Sequence, residues 1–379
     1  MQQAELLRSK LKALGFDAVH FTRLSEIEPK QLMDWLGQGF HADMQWIKTS
    51  ADKRLDPKLV LPGVQSLILL GVNYYDGKKE EDSPRPKIAR YARHTDYHDT
   101  IKPALASAGK ILEELYSLNA EDYRYYVDTG PVLERAWAAQ AGVGFVGKNA
   151  MLISREFGNW LLLSAILVRC ELPADEPIRK KLKTEPKKSK SIGLLCGSCT
   201  RCMTACPTQA FSFEGILDAR RCISYQTIEN KGIIPKALRE GIGNRIFGCD
   251  TCLDVCPWNR FAKSGRKLLL NVREEGAHLS LVELLHMTEE RFKELYRKTP
   301  LQRLKYPRFI RNVLIAAANT KDETLFELVL PYLSHTNNLI RAHAVDALRR
   351  IDAVRSKKHF QMLQLTENDP LVLTELNET

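Results

Sequence analysis

At 379 residues, 44% of them hydrophobic and 27% charged, the chain is too long for one small core and too apolar for a disordered segment. Two or three domains are expected, and the absence of any run of about eighteen apolar residues argues against a membrane-spanning helix. A formal net charge of +10 favours polyanionic partners, although bulk charge alone does not single out nucleic acid.

Residues 1–172 read as an α/β domain. Leu6, Leu7, Leu11 and Leu14 mark an amphipathic first helix, and after the break at Gly15 a strand starts over 18–21. Charges at helical spacing in this opening stretch argue against a signal peptide, so a cytoplasmic protein is expected. The run VQSLILLGVNYY at 64–75 predicts a buried strand, 123–127 another, and 134–141 a helix ending at Gly142 and Gly144. Apolar residues over 151–168, interrupted by REFGN, predict a hairpin. Succession of strands and helices suggests α/β layers without fixing strand order.

A basic connector follows at 173–195, carrying Lys180, Lys181, Lys183, Lys187, Lys188 and Lys190; it reads as a solvated linker or a phosphate-contacting arm. Residues 196–262 hold eight of the nine cysteines. CGSCTRCMTACP has the CxxCxxCxxxCP spacing of bacterial ferredoxins, in which three thiolates bind one 4Fe-4S cube and the fourth serves a second. Cys222 and CDTCLDVCP complete the pattern. Cys196, Cys199, Cys202 and Cys256 are therefore assigned to one cube, and Cys206, Cys222, Cys249 and Cys252 to the other. Zinc knuckles would show two separated pairs, and a disulfide framework belongs to small secreted domains. Cys170, alone in an apolar run, reads as a buried core thiol.

From 278 to 379 the pattern is helical, over 279–287, 289–297, 309–318, 323–333, 339–351 and 356–365, with pairs resembling HEAT-type repeats. Arg303, Lys305, Arg308, Arg311, Arg341, Arg349 and Arg350 are expected on the exterior of this stack. The whole is a multidomain α+β chain: α/β N-terminal domain, ferredoxin-like double-cluster domain, all-α C-terminal repeats. No heptad demands a dimer, and a monomer is expected.

Clusters relay electrons to a site that the N-terminal domain must supply. Asp128, between a strand and TGP, is the leading candidate for a proton donor; the competing role is a helix cap. GVGFVGKN follows a helix instead of a strand, so it fails as a dinucleotide loop. His98 in TDYH reads as an acid, a metal ligand or a structural histidine, and Arg54 as an anion clamp or a surface ion pair.

Together, DYH at 96–98, VDTGPVLERAWAAQAGVGFVGKN at 127–149, CGSCTRCMTACPTQAF at 196–211, LDARRCISYQTIENKGIIP at 217–235 and IGNRIFGCDTCLDVCPWN at 242–259 resemble the epoxyqueuosine reductases. The resemblance covers nearly the whole chain. It implies two-electron reduction of the epoxide of epoxyqueuosine to the alkene of queuosine, at the wobble position of tRNAs with GUN anticodons. It also implies a base-off cobalamin, reduced by the two cubes to a cobalt nucleophile that attacks the epoxide, and an external low-potential electron donor. Asp128 matches the family's proton donor, while Arg54, His98, Lys148, Asn149, Ser224, Gln226 and Thr227 are where cobalamin contacts are expected. The chain departs from the usual pattern at His94, where glycine is frequent, and at Phe145, where tryptophan is. Two other readings are a reductive dehalogenase, which resembles this family in pairing cobalamin with two cubes, and a ferredoxin-like carrier fused to a nucleic-acid module.

Overall fold

The computed structural model describes residues 2–25, 27–28, 30–78, 83–181, 192–273 and 275–377. Of the connector lysines, Lys183, Lys187, Lys188 and Lys190 lie outside the described residues. The chain divides into two compact units. The first comprises Met1–Glu80, Asp96–Arg220 and Thr251–Asn271; the second comprises Glu81–Thr95, Arg221–Asp250 and Val272–Thr379. The cysteine-rich stretch 196–262 is thus shared, its middle part 221–250 belonging to the second unit.

The first unit is built on a four-stranded sheet of β1 (Ala18–Arg23), β2 (Ser66–Asn73), β3 (Tyr123–Val127) and β4 (Leu161–Val168), in the order β1-β2-β4-β3. Every pairing is antiparallel, with Ala18 opposite Gly71, Ser66 opposite Val168 and Val127 opposite Ser164. Helices and sheet layer as expected from element succession, and the strand order that the sequence left open is antiparallel throughout this sheet. A helix between two strands does not by itself fix strand direction; only a full crossover makes the pair parallel. β2 is buried along its whole length because both faces of the sheet are covered. Leu67, Leu69, Ala165 and Leu167 pack on one face with Trp137 and Ala138 of helix α3 (Glu134–Gln140). Ile68 and Leu70 on the alternate face are equally buried, as are Leu7 and Leu11 of α1 (Gln2–Ala13) and Ile101, Leu105 and Leu112 of α2 (Tyr97–Tyr116). Each such leucine contributes about 1.5–3 kcal/mol on burial.

The hairpin expected over 151–168 does not form. Leu152–Ile153 pairs back with Phe145–Val146, a Ser154–Gly158 bridge closes the REFGN turn, and β4, apolar on both faces, takes a central position between β2 and β3. Cys170 follows the end of β4 and is half-buried, not a core residue, although burial still raises its thiol pKa to about 11.

The second unit is largely helical. Leu281–Leu285 starts at a Ser280/Glu283 capping box, in which each side chain satisfies the other residue's backbone N–H. α5 (Lys305–Thr320) and α6 (Asn338–Ile351) form its centre, with Phe309, Val313, Leu314, Ala344, Val345 and Leu348 in one core. The single helix expected over 323–333 is broken into Glu323–Leu325, Phe326–Val329 and Leu330–Ser334, and Pro331, which has no N–H to donate, sits in the last piece. A further helix, α7 (Pro370–Asn377), was not expected from the sequence. Its Glu375 reaches Arg239 at 2.5 Å, and Arg239 also pairs with Asp346 at 3.0 Å, all three buried.

The basic residues of this unit do not all face outward. Arg311 is fully buried, donating to the carbonyls of Gln226, Asn230 and Gly232, since one guanidinium can serve several carbonyls at once. Arg341 is bound to Glu367 at 2.6 Å, Arg349 to the carbonyls of Glu375 and Leu376, Arg350 to Asn319, and Arg308 to the carbonyls of Leu304 and Ile228. Arg303 and Lys305 remain exposed.

Candidate active site and cluster cavity

The segment after β3 turns sharply. The Thr129 N–H donates to the Val127 carbonyl at 2.6 Å, and Asp128 between them takes φ 59°, a left-handed conformation that aspartate tolerates at a cost of about 1–2 kcal/mol. Gly130 is needed next, since a Cβ there would lie 2.2 Å from Cγ of Tyr126. The turn leaves the Asp128 side chain 61% exposed. It caps no helix: α3 begins only at Glu134, with Leu133 as its N-cap.

The start of α2 faces this carboxylate. The Tyr97 hydroxyl donates to Oδ2 of Asp128 at 2.7 Å, and the Tyr97 and His98 rings stack with centroids 4.2 Å apart. Asp96, the N-cap of α2, uses Oδ1 twice, accepting from the His98 backbone N–H at 3.0 Å and meeting Nδ1 of the His98 ring at 2.7 Å. With Nδ1 so engaged, Nε2 points away from Asp96 and lies 4.0 Å from Oδ2 of Asp128. Nε2 is buried without a hydrogen-bond partner among the described residues. A polar atom left open beside an exposed carboxylate suits a ligand with hydrogen-bonding groups at its edge.

Arg54 borders the same site. It donates through Nε to Ser50 and through Nη1 to the Val132 carbonyl, and burial lowers its pKa against the opposing pull of Glu134 and Asp128. Glu134, at the head of α3, was not singled out from the sequence, although it stands within the quoted run at 127–149. Burial raises its pKa to about 7; its own backbone N–H, Arg54 and Arg135 oppose the rise, and the Asp128 charge adds to it.

A second place in this unit gathers the cysteines. Cys196, Cys199, Cys202 and Cys256, the first expected cube set, line one cavity of about 210 Å³ with Leu195 and Trp258. The short helix Arg201–Thr204 carries Cys202, while Pro257 turns the chain away after Cys256. The Trp258 indole donates to the Leu195 carbonyl and packs edge-on to Phe145. Burial, with the neighbouring thiols, pushes Cys202 up to about 11, and burial raises Cys196 as well. Soft, partly buried thiols around a shared cavity fit an iron–sulfur cube, whose positive iron offsets the charge that deprotonation creates. All nine cysteines are free thiols.

Lys148 and Asn149 line this cavity. Lys148 is buried and paired with Glu214 at 2.7 Å, and Asn149 donates to Asn159 and accepts from the Met151 N–H. Cys206 and Cys252 lie in the first unit, where the Ala210 N–H points at the Cys206 sulfur at 3.3 Å; Cys222 and Cys249 lie in the second. Ser224, Gln226 and Thr227 are also in the second unit, on helix α4 (Ile223–Ile228). Ser224 is half-buried there. Thr227 accepts from the Gly248 N–H, and Gln226 accepts from Asn230, so both buried side chains are engaged within their own unit.

Comparison with known proteins agrees with these features. The family model described as 4Fe-4S double cluster binding domain matches residues 195–259, and that described as Epoxyqueuosine reductase QueG, DUF1730 matches residues 54–129. Epoxyqueuosine reductase from Vibrio cholerae is 36% identical over 84% of this chain and 84% of its own, and that from Escherichia coli is 36% identical over 86% and 83%. Among solved structures, a selenomethionine-labelled epoxyqueuosine reductase superposes with TM-score 0.86 at 28% identity, covering 99% of this chain and 97% of that one. A reductase bound to an epoxyqueuosine-modified tRNA-Tyr stem loop gives TM-score 0.82 at 27% identity, over 99% and 97%. A third, from Bacillus subtilis, gives 0.80 at 28% over the same shares, and has its catalytic loop, designated by an aspartate, swung out of the active site. These relatives do not favour the dehalogenase reading, and the chain belongs to the epoxyqueuosine reductase family.

Proposed function

We propose that this protein reduces epoxyqueuosine at the tRNA wobble position to queuosine, the last step in making that nucleoside. The observation that carries this reading is a four-thiol cavity in the same unit as an exposed carboxylate held by Tyr97. Thiols at Cys196, Cys199, Cys202 and Cys256 hold one 4Fe-4S cube; the ferredoxin spacing and the matched double-cluster model support a second on Cys206, Cys222, Cys249 and Cys252. An external low-potential donor feeds this relay.

The cofactor that the relay serves is cobalamin, which when bound supplies a reduced cobalt nucleophile for the epoxide carbon. Arg54, His98 and Asp128 are placed to hold it and the substrate; the open Nε2 of His98 supports this assignment. Asp128 protonates the oxygen as it leaves, Tyr97 fixes the carboxyl orientation, and the Asp96-bound His98 stands behind it. Lys148 and Asn149 act at the cube wall, and the α4 residues Ser224, Gln226 and Thr227 act through the backbone they fix.

HEAT-like helices of the second unit contact the tRNA phosphates, Arg303 and Lys305 being two of the exposed cations there. The protein works as a cytoplasmic monomer; no described helix is long and apolar enough to cross a membrane. The test is anaerobic turnover of a modified anticodon stem loop with reconstituted clusters and added cobalamin, read by nucleoside mass. Loss of one oxygen, dependent on cobalamin and abolished in Asp128→Ala, is expected; an unchanged mass with both cubes loaded would overturn the assignment.

A further inference from the structure

The reduction needs two protons as well as two electrons. Both epoxide C–O bonds break, a carbon–carbon double bond forms, and the oxygen departs as water, with electrons delivered from the external donor through the clusters. Asp128 carries one proton. Its open side is also the side on which substrate must sit, so a bound substrate covers the face that solvent would use to recharge it. A second proton is then needed from the protein side.

Glu134, at the end of the same turn, is near enough to feel the Asp128 charge. It is the first residue of α3; its carboxyl folds back on its own backbone N–H, while its Oε1 is buried with no hydrogen-bond partner among the described residues. Charged groups reach it from three elements: Asp128 from the turn after β3, Arg54 from the short helix Ala51–Leu55, and Arg135 from α3 itself. An orphaned buried oxygen is costly for a carboxylate and much less so for a carboxylic acid, whose proton occupies that position.

We infer that Glu134 is the second proton-handling carboxyl of this site, held protonated in the resting enzyme and restoring the proton that Asp128 gives to the leaving oxygen. This rests on the reductase reading above for its substrate, but not for its protonation. Asp128 touches substrate; Glu134 acts through it. The competing role is that of a charged residue that merely starts α3, folding back on its own N–H. That role predicts a carboxylate at neutral pH.

Infrared difference spectra of the holoenzyme across a pH titration separate the two. A protonated-carboxyl band that titrates near neutrality is expected, absent in Glu134→Gln. Its midpoint should move down in Asp128→Asn, where a neighbouring negative charge is lost, and up in Arg54→Gln, where a positive one is lost. In turnover, Glu134→Gln should lower kcat about 100-fold, leave KM for the stem loop unchanged, and remove the neutral limb of the pH profile, with Glu134→Asp restoring part of the rate. Cluster absorbance and Tm check that each variant is folded and loaded. A band that survives in Glu134→Gln, or a wild-type pH profile in that variant, overturns the inference. If the wild-type enzyme leaves the stem loop unreduced, the function falls, while the infrared titration still decides whether Glu134 holds the proton.

Discussion

Asp128 combines a left-handed backbone, an exposed carboxylate and one strong bond from Tyr97. Replacing it with asparagine keeps the shape and removes the proton, so kcat should fall about 10²–10⁴-fold with iron content unchanged, as measured by single-turnover kinetics beside iron analysis. Glu134 makes a separate prediction about stability. Its pKa is raised in the fold from 4.5 to about 7, so its contribution is fully present below about pH 4.5 and is lost as pH rises through about 7. Tm measured against pH should therefore decline over that window in the wild type and less so in Glu134→Gln. The position of Asp128 after a strand was legible from VDTGP. Nothing in the sequence separates Glu134 from a surface glutamate at a helix start, because its burial depends on Trp137 drawing α3 onto the sheet.

Among the elements, the turn from Val127 to Leu133 and helix α7 carry the clearest consequences. Gly130→Ala brings a Cβ into the Tyr126 ring and should displace the turn, costing about 1–3 kcal/mol and lowering kcat while both cubes stay loaded; thermal melts with turnover assays check this. Helix α7 is anchored by Glu375 to Arg239, where burial works against the arginine's charge but Glu375 and Asp346 outweigh it, raising its pKa. Glu375→Gln leaves the buried Arg239 with Asp346 alone and should cost about 1–3 kcal/mol, read as a lower Tm. A fixed apolar stripe made α5 and α6 readable in advance. α7 was not readable, since its anchor is a glutamate, a residue that sequence patterns place outside.

At the level of the molecule, the +10 charge is expected to act through exposed cations only. Stem-loop affinity should fall with rising salt, with a log–log slope of about −0.7 per phosphate contacted, and Arg303→Ala with Lys305→Ala should flatten it. Arg341→Ala and Arg311→Met should instead lower Tm, because those guanidinium groups are bound internally. Cys256→Ser should remove one cube and spare the other, as seen by iron content and paramagnetic resonance of the reduced protein.

The local order of the chain determined the cysteine spacing, the individual strands and the candidate proton donor, since thiol ligation and strand burial are written in neighbouring residues. Tertiary structure alone decided three further matters. It set the antiparallel strand order, because strand direction depends on connections and not on propensity. It sorted the arginines into buried and exposed, because backbone carbonyls from distant segments claim them. It also placed Lys148 and Asn149 beside thiols at 196–202 and 256, because a cavity wall is assembled from segments whose proximity no spacing rule encodes.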